Sequence, residues 1–279
     1  MIKIQAENIE KKFQLKANQR IYLNNNKTGE IQVLKDLNLS IKKGEFITIV
    51  GPSGCGKSVF LDMVGGLTKI SSGNVFLDGK KINGPDPQVG YVFQQYALLP
   101  WRTAISNIEY PLEIRGVDSE KRKEKAKKLI SLIGLSGFDK WLPYQLSGGM
   151  QQRVAIARSL STDPEVLLMD EPFAALDAQT RELLQEELLR IWEGIRNTVI
   201  FVTHSIEEAI FLADRVVVMT ARPGRVKYII DIHLSRPRGE NIRASREFGA
   251  YRHKIWEALK DEVNKAQKDW KLSTSNNGR

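Results

Sequence analysis

The chain has 279 residues, of which 42% are hydrophobic and 27% are charged, so it can bury the core of one large domain or two modest ones. This composition excludes overall disorder, and no apolar run approaches the roughly 18 residues that cross a bilayer. The net charge of +9 is spread along the chain and names no partner, because nucleic acid, an anionic membrane, a polyanionic ligand and a plain solvated surface all fit it.

The start of the chain and its cysteine content predict a cytosolic protein. The first residues, MIKIQAENIEKKF, contain neither an apolar signal core nor a small-residue cleavage site. The single cysteine, Cys55, has no partner for an internal disulfide, which fits a reducing compartment.

The first elements are short strands. Residues 2–6 and 33–39 are short β-like runs separated by polar turns, whereas residues 17–30 (ANQRIYLNNNKTGE) are too polar for a core strand and predict a surface loop or hairpin tip. Residues 45–50 (EFITIV) predict a buried strand, and residues 59–66 predict an apolar helix.

A glycine-rich segment lies between that strand and that helix and matches the pattern G-x-x-x-x-G-K-[ST] in full. Its residues are Gly51, Pro52, Ser53, Gly54, Cys55, Gly56, Lys57 and Ser58, with Val59 directly after them. The glycines turn backbone N–H groups toward an anion, Lys57 reaches the outer phosphates of a nucleotide, and the Ser58 hydroxyl can ligate Mg²⁺. The segment therefore predicts a phosphate-binding loop.

The second half of the chain continues an α/β pattern. Residues 119–161 are helical in pattern, with a proline-containing link at 141–144, and residues 166–169 and 198–202 are short apolar runs typical of parallel strands covered on both faces. These elements predict an α/β core with a helical insert.

The pattern changes again near Arg222, and a final helix is predicted from apolar positions at three- and four-residue spacing. Its inward face is predicted to contain Phe248, Arg252, Ile255, Leu259 and Val263. The last residues, LSTSNNGR, predict a disordered tail. We therefore divide the chain into a domain at 1–235 and a C-terminal helical extension at 236–279.

Two carboxylates, Asp170 and Glu171, end the apolar run at 166–169. The first can hold Mg²⁺ through water, and the second can orient or deprotonate an attacking water. An apolar run followed by Asp-Glu is common as a strand that meets a polar loop, so its value here comes from the phosphate loop upstream.

The segment Leu146-Ser-Gly-Gly-Met-Gln-Gln-Arg153 offers free N–H donors and a hydroxyl at a helix start, which is either an anion site or a plain helix cap. It resembles the signature motif of ABC ATPases. The resemblance extends over nearly the whole chain, since Gln94 matches their Q-loop, residues 175–177 their D-loop and His204 their switch histidine.

The resemblance implies a phosphate-loop NTPase core with a mostly parallel sheet, an antiparallel β subdomain and an α-helical signature subdomain at about residues 95–160. It also implies ATP and Mg²⁺ as cofactors and a homodimer in the ATP-bound state, with each ATP between the two subunits. On one face it implies Lys57, Gln94, Glu171 and His204 as catalytic residues, and Ser58, Gln94 and Asp170 as metal ligands. From the opposite subunit it implies Ser147, Gly148, Gly149 and Asp177. Donors that close from two sides stabilise the charge of a phosphoryl transition state.

Two further assignments concern single residues near the nucleotide. In the family an aromatic ring before the first conserved strand stacks on adenine, and Phe13 occupies the matching position. Two alternatives are that Tyr22, in the polar insertion, stacks on adenine instead, or that Phe13 packs in the core. Cys55 is expected to have no catalytic role. Lys57 and the helix N-terminus are expected to lower the pKa of its thiol, and alkylation of the thiol is expected to obstruct ATP binding.

Residues 94–108 (QQYALLPWRTAISNI) resemble the corresponding segment in ATPases of importers for nitrate, sulfonate, taurine and related solutes. In such importers this region receives a short helix of the membrane subunit, and Tyr96, Leu98, Leu99 and Trp101 suit an anchor pocket. The alternative is an aromatic cluster packed inside its own domain.

The resemblance thus implies an importer ATPase at the cytoplasmic face of the inner membrane, with two membrane permease subunits, an extracytoplasmic solute-binding protein as an indirect partner and no nucleic acid. Two other classes stay open. A soluble ABC ATPase that acts on DNA or ribosomes usually has coiled-coil inserts or two motif sets. A phosphate-loop kinase or regulatory module would leave LSGGMQQR and His204 without a role.

Overall fold

The computed structural model of the protein describes residues 1–14 and 29–275. The first half contains β1 (Ile2–Gln14), β2 (Glu30–Lys42), β3 (Phe46–Val50), α1 (Lys57–Val64), β4 (Ser72–Leu77), β5 (Lys80–Lys81), β6 (Val89–Val92), α2 (Ala104–Ile114) and α3 (Ser119–Leu132). The second half contains a 3₁₀ turn (Pro143–Gln145), α4 (Gly148–Leu160), β7 (Val166–Asp170), α5 (Ala178–Ile195), β8 (Thr198–Val202), α6 (Ile206–Leu212), β9 (Arg215–Met219), β10 (Val226–Asp231), a second 3₁₀ turn (Glu240–Ala244) and α7 (Arg246–Ser275).

The strands form two sheets. The larger has the order β10-β9-β3-β8-β7-β6, in which only the edge strand β10 is antiparallel to its neighbour. Every residue of β3 and β8 is buried, as is expected for parallel strands covered on both faces. The smaller sheet has the order β2-β1-β4-β5 and is antiparallel throughout. The predicted α/β fold with an antiparallel β subdomain is confirmed.

The predicted strands lie at the expected positions, but the strands of the structure are longer than predicted. The predicted strands at 2–6 and 33–39 lie inside β1 and β2, which each contain 13 residues. Of the loop predicted at 17–30, residues 17–28 lie outside the described residues. Glu30 already belongs to β2, because the antiparallel pairing of β1 and β2 extends to the pair Gln14 and Glu30.

The helical insert contains one helix, α2, that the sequence pattern did not predict. Helix α2 has Pro111 in its interior, a residue that ordinarily breaks helices, and α3 and α4 follow it. The buried Asn107 of α2 donates to the carbonyls of Leu99, Arg102 and Thr103, and accepts from the N–H of Leu99. This one amide fixes the loop that precedes the helix.

The C-terminal extension packs tightly on the rest of the chain. The guanidinium of Arg238 is buried and donates to the carbonyls of Ile210, Phe211 and Ala213, which closes the end of α6. Phe248, Ile255 and Leu259 of α7 are buried as predicted, whereas Arg252 is exposed and pairs with Glu207. The proposed boundary at residue 235 thus stays a sequence-based prediction.

Helix α7 continues to Ser275, so its last residues lie in the segment at 272–279 that the sequence predicts to be disordered. The disorder of that tail stays a prediction. Residues 276–279 lie outside the described residues. In the described part of the chain, no helix combines the length and apolar character that a bilayer span requires.

Candidate functional site

The glycine-rich loop lies where β3 ends and α1 begins, as predicted. Gly56 has a φ of +102°, and a Cβ atom there would lie 2.6 Å from Leu34 Cδ2, so a side chain is excluded by both conformation and space. The buried Lys57 curls back so that its Nζ donates to the carbonyls of Gly51, at 3.0 Å, and Pro52, at 3.2 Å. The ammonium is thereby held inside the loop at the helix N-terminus, where an anion is favoured.

A turn between β9 and β10 supports this loop from behind. A Cβ atom on Gly224 would lie 2.0 Å from the carbonyl oxygen of Cys55, so the two backbones are in direct contact. Gly224 also donates to the carbonyl of Val33 and accepts from the N–H of Lys35, which ties the turn to β2. The sequence analysis assigned no role to residues 222–225, and in the structure they support the phosphate loop from behind.

Asp170 lies beside the phosphate loop, at the end of β7. The Ser58 hydroxyl donates to Asp170 Oδ1 at 2.9 Å, which joins two of the three predicted metal ligands. Burial raises the pKa of Asp170, and the neighbouring Glu171 and Asp62 raise it further. The pair is therefore a partly desolvated oxygen site that a cation would stabilise.

Glu171 is the centre of the predicted catalytic group. Its Oε1 lies 2.6 Å from His204 Nε2, and its Oε2 accepts a hydrogen bond from Gln94 at 3.4 Å. Its φ of +45° is unusual for a residue with a side chain, and the backbone N–H donates to Val202 of β8 at 3.0 Å. Backbone strain held by surrounding structure is typical of functional sites. Glu171, His204 and Gln94 thus meet as predicted.

The His204 imidazole lies between groups that shift its pKa in opposite directions. Burial lowers its pKa, and the Lys57 ammonium lowers it further, although the Glu171 carboxylate acts in the opposite direction. Because a carboxylate oxygen only accepts, the proton of the 2.6 Å contact is assigned to Nε2, and His204 donates to Glu171.

A buried network that the sequence did not indicate holds the turn around His204. The Thr203 hydroxyl donates to the carboxylate of Glu208 and accepts from the Ser205 N–H at 3.0 Å. Gln185 of α5 donates to Glu208 at 2.8 Å, and Arg243 of the extension donates to Gln185 at 2.7 Å. The turn that contains His204 is therefore held partly by the C-terminal extension.

The expectation for Cys55 is wrong in direction. Its side chain is only 1% exposed, and burial raises its thiol pKa despite the opposing effect of Lys57. A buried thiol with a raised pKa is a poor nucleophile. Cys55 is therefore a packing residue of the loop, and its alkylation in the folded protein is not expected.

The predicted trans group does not join this site within one chain. Ser147 and Asp177 are exposed, and they cap α4 and α5 through hydrogen bonds from the N–H groups of Met150 and Thr180. In residues 1–14 and 29–275, no hydrogen bond or ion pair joins Ser147, Gly148, Gly149 or Asp177 to the phosphate loop. Their separation is the arrangement that a site shared between two copies requires.

Phe13 is 39% exposed near the end of β1, which is inconsistent with core packing. Lys11 Nζ lies 4.5 Å from the centre of its ring. Tyr22 lies outside the described residues, so adenine stacking by Phe13 stays a prediction.

The predicted anchor residues sit on a loop that is fixed from inside. Arg158 of α4 donates to the carbonyls of Tyr96, at 2.9 Å, and Ala97, at 2.6 Å, and Asn107 holds the next residues. The Trp101 side chain is nevertheless 73% exposed, whereas Tyr96, Leu98 and Leu99 are half-buried. The alternative of a fully internal cluster is therefore wrong for Trp101.

The described residues contain no group of three or more His, Cys, Asp or Glu side chains that could hold a metal by themselves. Mg²⁺ does not require one, because it is commonly bound by one or two carboxylates together with waters and the phosphates of a nucleotide. Ser58 and Asp170 fit that role by their chemistry and by their contact.

Comparison with known proteins agrees with this geometry. A family model described as ABC transporter matches residues 34–174. An uncharacterised ABC transporter ATP-binding protein of Methanocaldococcus jannaschii is 52% identical over 96% of this chain and 95% of its own length. An aliphatic sulfonates import ATP-binding protein of Bacillus cereus is 46% identical over 79% of this chain and 86% of its own length.

A solved structure gives the same result. A dimeric ATP-binding cassette in a post-hydrolysis state, bound to ADP and Pi, is 34% identical and matches with a TM-score of 0.70 over 83% of this chain and all of its own. With the phosphate loop, the carboxylate pair, the switch histidine and the signature helix in the order and places described above, the chain belongs to the ABC transporter family, as one of its ATP-binding and ATP-hydrolysing cassettes.

Proposed function

We propose that the protein powers the import of a small solute of the nitrate, sulfonate or taurine class through two separate membrane subunits. The solute class is supported by the sulfonate importer ATPase from Bacillus cereus, which is 46% identical. This class also requires an extracytoplasmic binding protein that recognises the solute, and it places the chain at the cytoplasmic face of the membrane.

At the ATP site, we propose that Lys57 and the N–H groups of the loop hold the outer phosphates, while Ser58, Asp170 and Gln94 hold Mg²⁺. When bound, Mg²⁺ supplies positive charge to the phosphate oxygens. Glu171 orients the attacking water and accepts its proton, and His204 fixes the Glu171 carboxylate through their 2.6 Å contact. The unusual backbone conformation of Glu171 holds its carboxylate beside His204 and Gln94.

We further propose that two copies close head to tail, so that Ser147, Gly148, Gly149 and Asp177 of one copy complete the site of the other. The argument rests on the exposure of Ser147 and Asp177 and on the dimeric relative. The Ser147 hydroxyl and the N–H groups that begin α4 are suitable donors for the phosphate oxygens.

The observation that carries the transport assignment is Trp101. A large aromatic side chain that is mostly exposed on a loop held by Arg158 and Asn107 is suited to act as an interface anchor. The loop begins next to Gln94, so a membrane subunit docked there would contact the segment that reaches Glu171.

Trp101→Ala and Leu99→Ala are expected to leave nucleotide binding by the isolated subunit nearly unchanged and to weaken docking by roughly 30-fold, which corresponds to about 2 kcal/mol for a central anchor. The measurement is pull-down of the membrane partner together with solute uptake. Tyr228→Ala is a matched control, because Tyr228 is also exposed but lies on β10, at the opposite edge of the larger sheet from β6. Unchanged pull-down and uptake in both variants would refute the docking surface.

A further inference from the structure

A series of hydrogen bonds, here called the Glu208 network, connects the turn around the switch histidine to the C-terminal extension. Glu208, on the first turn of α6, accepts from Thr203 and, at 2.8 Å, from Gln185 of α5. Gln185 in turn accepts from Arg243 of the second 3₁₀ turn at 2.7 Å. Thr203 and Glu208 are 4% exposed and Gln185 is 2% exposed, so bulk water does not compete for the central bonds of the network.

The donors and acceptors of this network fit together in one direction only. A guanidinium only donates and a carboxylate only accepts, so the Gln185 amide turns its oxygen to Arg243 and its nitrogen to Glu208. The Thr203 hydroxyl gives its proton to Glu208 and accepts from the Ser205 N–H at 3.0 Å. Because Thr203 and Ser205 are the two neighbours of the switch histidine, the network fixes the backbone on both of its sides.

Arg243 also favours the charged form of Glu208. Burial raises the pKa of this carboxyl, whereas its hydrogen bonds and the charges of Arg181 and Arg243 act in the opposite direction. Protonation would turn one carboxyl oxygen into a donor and leave a neighbouring donor without an acceptor. Loss of Arg243 therefore weakens the network at its centre as well as at its end.

The extension holds Arg243 in a fixed place over α6. The guanidinium carbon of Arg243 lies 4.0 Å from the centre of the Phe211 ring, which is a cation–π contact. In the same extension, the buried Arg238 donates to the carbonyls of Ile210 and Ala213 at the end of α6. Arg243 thus reaches Gln185 from a segment that is itself tied to the helix after the switch histidine.

We propose that Arg243 is a positioning residue for His204, so that the C-terminal extension sets the rate of ATP hydrolysis. The inference rests on the role proposed above for His204, which fixes the Glu171 carboxylate through their 2.6 Å contact. Arg243 contacts Gln185 and Phe211, both outside the phosphate loop, so its effect falls on hydrolysis and not on ATP binding.

Arg243→Gln is expected to lower kcat about tenfold with little change in the KM for ATP, since a small misplacement of a catalytic group can cost as much as roughly 10²-fold. Arg243→Lys keeps the charge and a donor, and it should recover most of the rate. The matched control is Arg252→Gln. Arg252 also joins the extension to α6, but through the exposed Glu207, which lies outside the network, so kcat should not change.

A double-mutant cycle tests whether Arg243 acts through the Glu208 network. Gln185→Met removes both hydrogen bonds of the amide with little change in side-chain size. We expect the variant that combines Arg243→Gln with Gln185→Met to have the same kcat as Gln185→Met alone, because the two residues act in series. The thermal midpoint of each variant is measured alongside, so that a loss of rate is distinguished from a loss of folded protein.

An unchanged kcat in Arg243→Gln, or falls in kcat that add up in the combined variant, would overturn this inference. Losses of kcat that follow losses of the thermal midpoint, without recovery in Arg243→Lys, would overturn it as well. His204→Ala separates the inference from the proposed site. Normal hydrolysis in that variant would refute both, whereas a reduced rate there, with an unchanged kcat in Arg243→Gln, would refute only the role of Arg243.

Discussion

Replacement of Glu171 by Gln is expected to reduce ATP hydrolysis on the order of 10²-fold or more while ATP binding persists. The amide keeps the shape of the side chain and its contact with His204, but it accepts no proton from water. The neighbouring carboxylate of Asp170 accepts a hydrogen bond from Ser58 and is not expected to replace Glu171 as the base. The measurement is phosphate release at saturating ATP, with Glu124→Gln on the surface of α3 as the control.

The same variant should accumulate as an ATP-bound dimer, because closure is no longer followed by hydrolysis. Size-exclusion chromatography with ATP and Mg²⁺ resolves it from the monomer. If the variant elutes only as a monomer while turnover persists, the assignment of Glu171 as the base is wrong.

Removal of the Lys57 side chain is expected to have the second largest effect. Lys57→Ala deletes the one ammonium that the phosphate loop holds by its own carbonyls, those of Gly51 and Pro52. Hydrogen bonds to charged groups contribute about 1.5–3 kcal/mol, so ATP affinity should fall roughly 10- to 150-fold, and hydrolysis with it. Calorimetric titration with ATP and Mg²⁺ measures this directly.

A control must separate binding from folding, since Lys57 is buried and its loss removes two hydrogen bonds within the loop, those to the carbonyls of Gly51 and Pro52. The thermal midpoint of each variant provides it, and Lys57→Arg keeps the charge with a different shape. A folded Lys57→Ala protein with normal affinity and normal ATPase activity would remove the phosphate-loop assignment.

The elements that were predicted correctly are those whose signal is local. The strands β3, β7 and β8 are short, predominantly apolar segments, and the phosphate loop is defined by consecutive residues with a strand before and a helix after. The apolar spacing of α7 likewise identifies its inward residues. In each case the residues that decide the structure are close together in the sequence.

The elements that escaped prediction depend on distant partners. Helix α2 tolerates Pro111 because it is packed against α3 and α4, and the burial of Asn107 follows from a loop that it must hold. The pKa of Cys55 was misjudged because Lys57 is close in sequence, whereas the burial that outweighs it comes from the core cluster that Cys55 shares with Leu34 and Met219.

The candidate site divides in the same way. The residue types at Lys57, Asp170, Glu171 and His204 could be identified from motifs, and their contacts agree with the roles assigned to them. The supports of the site, such as the Gly224 turn and the Glu208 network, join segments far apart in the chain and carry no motif. The role proposed for Ser147 and Asp177 requires a second copy, so a single chain cannot display it.

The most direct test of the shared ATP site is the hydrolysis rate per subunit as a function of protein concentration. A site completed by Ser147 of a second copy predicts that this rate rises with concentration at first and reaches a plateau when the ATP-bound dimer is saturated. A rate per subunit that stays constant from nanomolar to micromolar protein, with light scattering reporting a monomer throughout, would contradict the account.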